Sequence, residues 1–501
     1  MKNKSSLIFT RRRLLEVMLA SAALPAVAGA PATSVRPPAA RGAIPQPGAE
    51  SLVRKAKLKG DVIFAVADAR TGEVLESRGA DRGIAPASVT KAITALYALD
   101  VLGPQHRFKT RVIATGGISD GVVQRDLILV GGCDPTMDTR ALATLAAAVK
   151  EAGIREVKGG FGVYEGPVLS VPTIDPDQPD HVGYSPAVAG IALNFNRVHF
   201  EWKRVSGDYK VTMDARAGNY RPDVAMARMA VVRRRTPIYT YDGDNGRDSW
   251  TVASGALGSG GARWLPVRRP GLYAGEVFAT LARSHGIVLK TPKVVAFAPA
   301  GDIVAQVESD PLDDILRGML KYSTNLTAEM VGLAATHKRI GRVDTLAASA
   351  AEMNAWAIEA LGMQSPAFAD HSGLGSASRI SPADMVRGLS APGRAAQLRP
   401  LMKPVKLLDA EGRTIHNHPV KAQAKTGTLN FVSGLSGYIT APKGKEMVFA
   451  VFAADEDTRA TLTRETRERP PGGRSYSARA RRLQRQLIMR WGATYDEEIQ
   501  G

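Results

Sequence analysis

Cysteine is nearly absent from this sequence: Cys133 is the single copy among 501 residues. One thiol excludes an intramolecular disulfide and any cysteine-based zinc cluster. Histidine is scarce as well, with eight copies and no His-Glu-x-x-His run, which argues against a zincin-type metalloprotease. No G-x-G-x-x-G turn and no P-loop lysine occur, so no nucleotide or other cofactor is expected. Outside the N-terminus no uninterrupted apolar run approaches the ~20 residues of a membrane span. Acidic residues are in the minority, 48 against 66 Lys+Arg, for a formal net charge of +18. What is present is ordinary for a folded protein. Hydrophobic residues at 44% and charged residues at 23% exclude extensive disorder. At about 150 residues per domain, the length allows two to four domains.

The N-terminus reads as an address. Thr10-Arg11-Arg12-Arg13-Leu14-Leu15 places an arginine pair before the apolar stretch Leu14 to Val27, and Ala26-Val27-Ala28 supplies a small-x-small exit. That order predicts an export signal over residues 1–28 and a periplasmic destination. The arginine pair favours the twin-arginine route over general secretion. Removing 1–28 takes away five basic residues and one acidic one, leaving a net charge of +14. Such a basic exported chain can face anionic lipid, nucleic acid or a carboxylate-rich wall. The charge clusters only at Arg474, Arg479, Arg481, Arg482, Arg485 and Arg490. Leu483, Leu487, Ile488 and Trp491 interleave with them, which predicts an amphipathic helix with a solvated basic face. No nucleic-acid motif accompanies the charge, so nucleic acid is not an expected partner. His416-Asn417-His418 reads as a surface loop, and no metal site is expected.

Along the chain, prolines 31, 37, 38, 45 and 47 mark an extended linker over 29–49. From Asp61, alternating apolar residues predict a strand, then a turn at Asp68–Gly72 and a second strand. The spacing of Val89, Ala92, Ile93, Leu96, Leu99 and Leu102 predicts a helix over 87–102, amphipathic to nearly buried. Residues 107–299 differ in texture. A strand at 126–130, an Ala-rich helix at 140–152 and a strand at 157–163 predict a nested α/β unit near 125–195. Its Gly131-Gly132-Cys133-Asp134-Pro135 link reads as a tight strand-to-helix turn. Residues 200–299 read as short β segments broken by glycine. Helical patterns return at 312–320, 328–337 and 346–360, followed by a hairpin at 435–453 and the Arg-rich helix. An α/β (α+β) domain formed by 50–106 and 300–501, interrupted by one or two smaller domains in 107–299, fits this order.

Three short motifs occur once each: Ser88-Val89-Thr90-Lys91, Ser323-Thr324-Asn325 and Lys425-Thr426-Gly427. Serine and lysine three apart on a helix share a face. A serine hydroxyl needs an adjacent base to become a nucleophile, and a lysine serves only where burial or a second cation favours its neutral amine. Lys425 is a candidate for that cation. Alone, each motif has a plainer reading. Ser88 and Asn325 suit helix caps, and Gly427 suits a turn at a strand end. Together, in this order, they are far more specific.

This triplet resembles the signature of the penicillin-recognising serine enzymes. Ala85-Pro86-Ala87-Ser88, Gly131–Pro135, Tyr184-Ser185-Pro186 through Ala192-Leu193-Asn194, and Asp370-His371-Ser372-Gly373-Leu374 resemble one subgroup. That subgroup is the class C low-molecular-mass penicillin-binding proteins, the D-alanyl-D-alanine carboxypeptidase/endopeptidase family. The likeness spans about residues 50–501. Cys133 stands where the family has a glycine, and Thr324 where it has an aspartate. The spacing of 235 positions from Ser88 to Ser323 matches a family with domains inserted after the nucleophile helix. The resemblance implies a transpeptidase/β-lactamase-like fold, an antiparallel sheet with flanking helices. It implies Ser88 as nucleophile, Lys91 as general base, and Ser323, Asn325 and Lys425 as further catalytic residues. Thr426, Gly427 and Thr428 are implied to bind substrate. Peptidoglycan stem peptides and β-lactams are the implied partners. A serine β-lactamase or esterase on the same scaffold, and a wall-binding protein with a dead site, are the alternatives.

Overall fold

The structure, a computed structural model, describes residues 47–496. The expected export signal lies outside the described residues, as does most of the proline-rich linker.

Helix α1 (Ala49–Ala56) precedes β1 (Asp61–Asp68), where Val62, Phe64 and Val66 alternate with Ile63, Ala65 and Ala67. Both sets are buried, so this strand is covered on its two faces rather than one. Asp68 accepts hydrogen bonds from the backbone N–H groups of Arg70 and Thr71, closing the turn into β2 (Val74–Arg78). A 3-10 turn, Ala87–Val89, then opens α2 (Thr90–Leu102). Every residue from Thr90 to Leu99 is buried, placing this helix at the buried end of the expected range.

The chain next builds separate sheets. β3 (Lys109–Ala114), β4 (Leu127–Val130), β5 (Phe161–Tyr164) and β8 (Asp302–Glu308) join Lys293–Val295 in a five-stranded sheet. β4 and β5 pair in parallel, connected through α3 (Thr139–Glu151), as a βαβ unit requires. β6 (Arg197–Val205) and β7 (Gly260–Pro266) pair antiparallel in a three-stranded sheet. Val112, Leu129, Leu145, Phe200, Trp250 and Phe278 belong to the core of this region. The region departs from the sequence reading in two respects: its sheet takes in β8, beyond the expected boundary at 299, and one element differs in kind. α4 (Pro270–Ser284) is a 15-residue helix where glycine-broken β segments were expected. Gly271 and Gly275 lower its intrinsic propensity. Pro270 at its start and the buried Tyr273, Val277, Phe278 and Leu281 on one face decide the outcome.

Three helices follow: α5 (Leu312–Tyr322), α6 (Asn325–Ile340) and α7 (Leu346–Leu361). β9 (Lys421–Leu429), β10 (Val432–Thr440) and β11 (Glu446–Ala454) complete the main sheet, and α8 (Gly473–Thr494) ends the described chain. That sheet runs Lys403–Pro404, β9, β10, β11, β1, β2, all antiparallel. The first and last thirds of the chain therefore share one sheet, with Phe64 opposite Val451 and Lys425 opposite Ser436. One face packs on α2 and its opening turn and on a helix at Pro382–Ser390, with α6 and α7 packed against α2, and the other face is covered by α8 together with α1. Phe64 and Phe449 touch Trp491 of α8, whose Nε1 donates to Glu76 at 2.8 Å. Arg474, Arg479, Arg481 and Arg482 face solvent, Arg485 is part-buried, and Arg490 pairs with Glu76.

Candidate active site

The 3-10 turn presents Ser88 at the start of α2, with Ala87 held at φ +49°, a left-handed conformation uncommon for alanine. Strain of this kind persists only where the surroundings over-determine it. Ser88 is not the helix cap, because no side chain caps α2. One turn on, Lys91 is fully buried, and its Nζ lies 2.9 Å from Ser88 Oγ. The same nitrogen is 2.7 Å from Asn325 Oδ1 and 2.6 Å from the Ser372 carbonyl oxygen. Burial drives the Lys91 pKa down to about 7, against the opposing pull of Asp370 and Glu329.

That environment fixes the direction of proton transfer. A neutral amine has two N–H groups and one lone pair. The Asn325 and Ser372 oxygens only accept, so they take both N–H groups. The lone pair is left for the Ser88 hydroxyl proton.

Ser323 caps the C-terminus of α5 in a left-handed conformation, φ +59°, which turns the chain sharply into α6. Its Oγ accepts from Lys425 Nζ at 2.9 Å, and Lys425 also donates to the Thr426 carbonyl at 2.6 Å. Lys425 is buried, and burial first, then the charges of Lys91 and Lys403, lower its pKa. Asn325 is the first residue of α6 and not its cap. Its Nδ2 donates to the Tyr184 carbonyl at 2.9 Å, which ties this loop to the inserted region and leaves one amide N–H unused. Thr324 contributes no side-chain hydrogen bond, and its hydroxyl is buried without a partner among the described residues.

Gly427 lies inside β9 rather than at a turn. A Cβ there would stand 2.5 Å from the Pro86 carbonyl oxygen and 3.1 Å from the Ser88 nitrogen. Absence of a side chain is what lets the Ser88 turn rest on β9. The Ala422 carbonyl accepts from Val405, so Ala422 faces the outer edge of β9. The pairing of β9 with β10 has no bulge, so Thr426 and Thr428 point their backbone groups to that same edge. Beyond Ala424 no described strand pairs there, and both threonine side chains are exposed. The site thus has an open strand edge beside its buried amines.

All eight residues expected from the sequence meet here. Glu329 was not anticipated, and Asp370 figured only within the Asp370–Leu374 resemblance, without a role. Glu329 is buried on α6, one turn after Asn325, and accepts from the backbone N–H of His371 at 3.1 Å and Ser372 at 2.9 Å. Asp370 accepts from the N–H groups of Gly373 and Gly375. Burial raises the pKa of both carboxyl groups, with Asp370 adding to the effect on Glu329. Together they position the Ser372 carbonyl on Lys91. Glu329, the one acid of α6, four residues from Asn325 and set among Leu326, Met330, Val331 and Leu333, was the available signal. Among the described residues no group of three or more acidic, His or Cys side chains could hold a metal ion. His416 is exposed and His418 accepts from the Val420 N–H.

Comparison with known proteins agrees. Residues 49–468 match the D-Ala-D-Ala carboxypeptidase 3 (S13) family. The chain is 29% identical over 419 residues to a D-alanyl-D-alanine carboxypeptidase of Actinomadura sp. (strain R39), spanning 77% of this chain and 76% of that one. It is 24% identical over 388 residues to D-alanyl-D-alanine carboxypeptidase DacB of Haemophilus influenzae, spanning 73% and 79%. Among solved structures, penicillin binding protein 4 (dacB) from Haemophilus influenzae superposes with a TM-score of 0.68 at 18% identity. That match covers 88% of this chain and 100% of the other. The likeness establishes the fold, a mixed α+β architecture. The Haemophilus protein has also been solved with a novel β-lactam.

Proposed function

The chain belongs to the D-Ala-D-Ala carboxypeptidase 3 (S13) family and is a serine-type carboxypeptidase, and from that premise we propose that Ser88 carries the acyl group. Ser88 Oγ attacks the carbonyl carbon of a D-alanyl-D-alanine bond while its proton passes to Lys91 Nζ. The oxyanion is held by the backbone N–H groups of Ser88 and Thr428, the second of which lies on the open edge of β9. Losing one such donor typically costs about 10²–10³ in rate. The C–N bond then breaks, and the departing amine receives the proton held on Lys91, relayed through Ser323 and Lys425, so that Lys91 is a neutral amine again. Water attacks the ester, Lys91 takes its proton, and Ser88 is regenerated.

Asn325 donates its unused N–H to the substrate's backbone amide. The hydroxyls of Thr426 and Thr428 hold the terminal carboxylate, whose negative charge favours the protonated form of Lys425. The substrate is a peptidoglycan stem peptide. A β-lactam follows the same first step, but its leaving group stays tethered and the ester persists. Residues 50–106 and the chain after β8 act as the catalytic domain, and 107–308 shapes access to it. The chain works in the periplasm, exported by the twin-arginine route.

One observation carries this reading: Lys91 Nζ lies within 2.9 Å of three oxygens, two of which can only accept, so a neutral amine there has its lone pair free for the Ser88 proton. The test is mass spectrometry after incubation with benzylpenicillin, together with D-alanine release from a pentapeptide. The wild type gains one adduct, on Ser88, and Ser88→Ala gains none and releases no D-alanine. Release by Ser88→Ala would remove Ser88 from the scheme.

A further inference from the structure

Beside Ser323, Thr324 and Asn325 lies a cavity of about 350 Å³ that the mechanism does not use. The inserted region supplies most of its wall through Tyr184, Phe195, Arg197, Arg263 and Trp264. Arg197 has no counter-ion among the described residues. Its Nε is buried with no hydrogen-bond partner among the described residues. Its guanidinium carbon lies 5.3 Å from the Phe195 ring and 5.7 Å from the Trp264 ring. Burial lowers its pKa, and the one nearby group favouring its charge is the Tyr273 phenol. Arg263, by contrast, is already engaged, 3.5 Å from Glu468 and stacked on Tyr239. A desolvated guanidinium without an anion is costly to maintain.

The backbone at this wall is costly too. Asn194, Phe195 and Asn196 hold φ of +51°, +58° and +49°, three successive left-handed residues. Side-chain bonds lock the turn: Asn194 Nδ2 donates to Thr139 Oγ1 at 2.9 Å and Asn196 Nδ2 to the Ala187 carbonyl at 2.9 Å. The Tyr273 hydroxyl donates to the Arg197 carbonyl at 3.0 Å. Phe195 and Arg197 are thereby fixed in the cavity wall before any ligand arrives.

We propose that this cavity is the subsite for the leaving strand of a cross-linked substrate, an acidic peptide whose carboxylate pairs with Arg197. The placement rests on the mechanism above, in which Ser323 hands a proton to the leaving amine. Ser323 lines both the site and the cavity. A leaving D-alanine is a single residue, whereas a leaving group that is itself a stem peptide extends beyond Ser323, where the cavity lies open to it. Arg197 is then a specificity-determining residue that favours endopeptidase cleavage over release of a free amino acid.

The test compares the exported chain with its Arg197→Met and Arg197→Lys variants on three substrates. These are a pentapeptide monomer, a cross-linked muropeptide dimer, and the same dimer with its leaving-strand carboxylates amidated. Benzylpenicillin acylation of Ser88, scored separately, reports on the catalytic centre. Loss of one charge-assisted contact lowers kcat/KM on the dimer by about 10- to 100-fold. That loss falls mainly on KM. The pentapeptide and penicillin rates stay within about twofold, and Arg197→Lys recovers part of the loss. Amidation costs the wild type a similar factor and costs Arg197→Met nothing further. Three results overturn the proposal: equal losses on monomer and dimer, an amidated dimer as good as the free one in the wild type, or a wild type that hydrolyses the pentapeptide but not the dimer. The last leaves the Ser88 reading standing, whereas absent penicillin labelling strikes at that reading instead.

Discussion

Replacing Gly427 by alanine separates the packing of this site from its chemistry. Gly427 has an ordinary φ, so the substitution brings no backbone strain, and the added methyl acts by contact alone. That methyl would lie 2.5 Å from the Pro86 carbonyl oxygen, where ordinary contact begins at 3.4 Å. The turn carrying Ser88 must retreat by the difference, about 0.9 Å, because the other side of the clash is a central run of β9 held by β10. Its second and third contacts are the nitrogens of Val89 and Ser88, at 3.0 and 3.1 Å, so the proposed oxyanion donor moves with the turn. A displacement near 1 Å costs on the order of 10² in rate. Overpacking costs about 1–3 kcal/mol of stability, which leaves the protein folded. The assay is the second-order rate of acylation by a fluorescent penicillin, with thermal unfolding as the control. We expect a roughly 100-fold slower rate in a protein that still unfolds cooperatively. Acylation within about threefold of wild type would refute the claim that Gly427 sets the height of the nucleophile above β9.

Other outcomes follow from the same geometry. Acylation should rise with pH and level off, with a midpoint near 7, because only the neutral Lys91 amine can take the Ser88 proton; a rate independent of pH between 5 and 9 would contradict this. Glu329→Gln keeps the shape of the buried cluster but weakens its hold on the loop bearing Ser372. Because Glu329 pulls the Lys91 pKa upward, its replacement should move the midpoint to lower pH, and an upward move would show the sign to be wrong. Trp491→Ala removes a buried ring packed on Phe64 and Phe449 and should cost about 3–5 kcal/mol in denaturant unfolding, with little change in acylation once folded. Cys133 is buried and its thiol is pushed up to about 12, so a disulfide reagent should label it only after denaturation.

The sequence alone determined the local parts. Alternation in β1, the three-and-four spacing of α2 and the apolar stripe of α8 are set by neighbours in the chain, and the Ser88–Lys91 pairing follows from helical geometry. Local patterns read less well where two forces disagree. In α4, glycines weaken the helix while burial of Tyr273, Val277 and Phe278 imposes it, and burial is invisible until the partner surfaces exist. Tertiary structure decided everything that depends on approach. It set Lys91 among three oxygens from residues 88, 325 and 372, and turned Gly427 from a candidate turn residue into a seat for the nucleophile. It buried Glu329 and Asp370 behind the lysine, and left Arg197 without an anion at a cavity wall. The reason is physical. Propensity and periodicity act over a few residues, whereas a shifted pKa or an unpaired charge is produced by desolvation, and desolvation requires that distant segments close together.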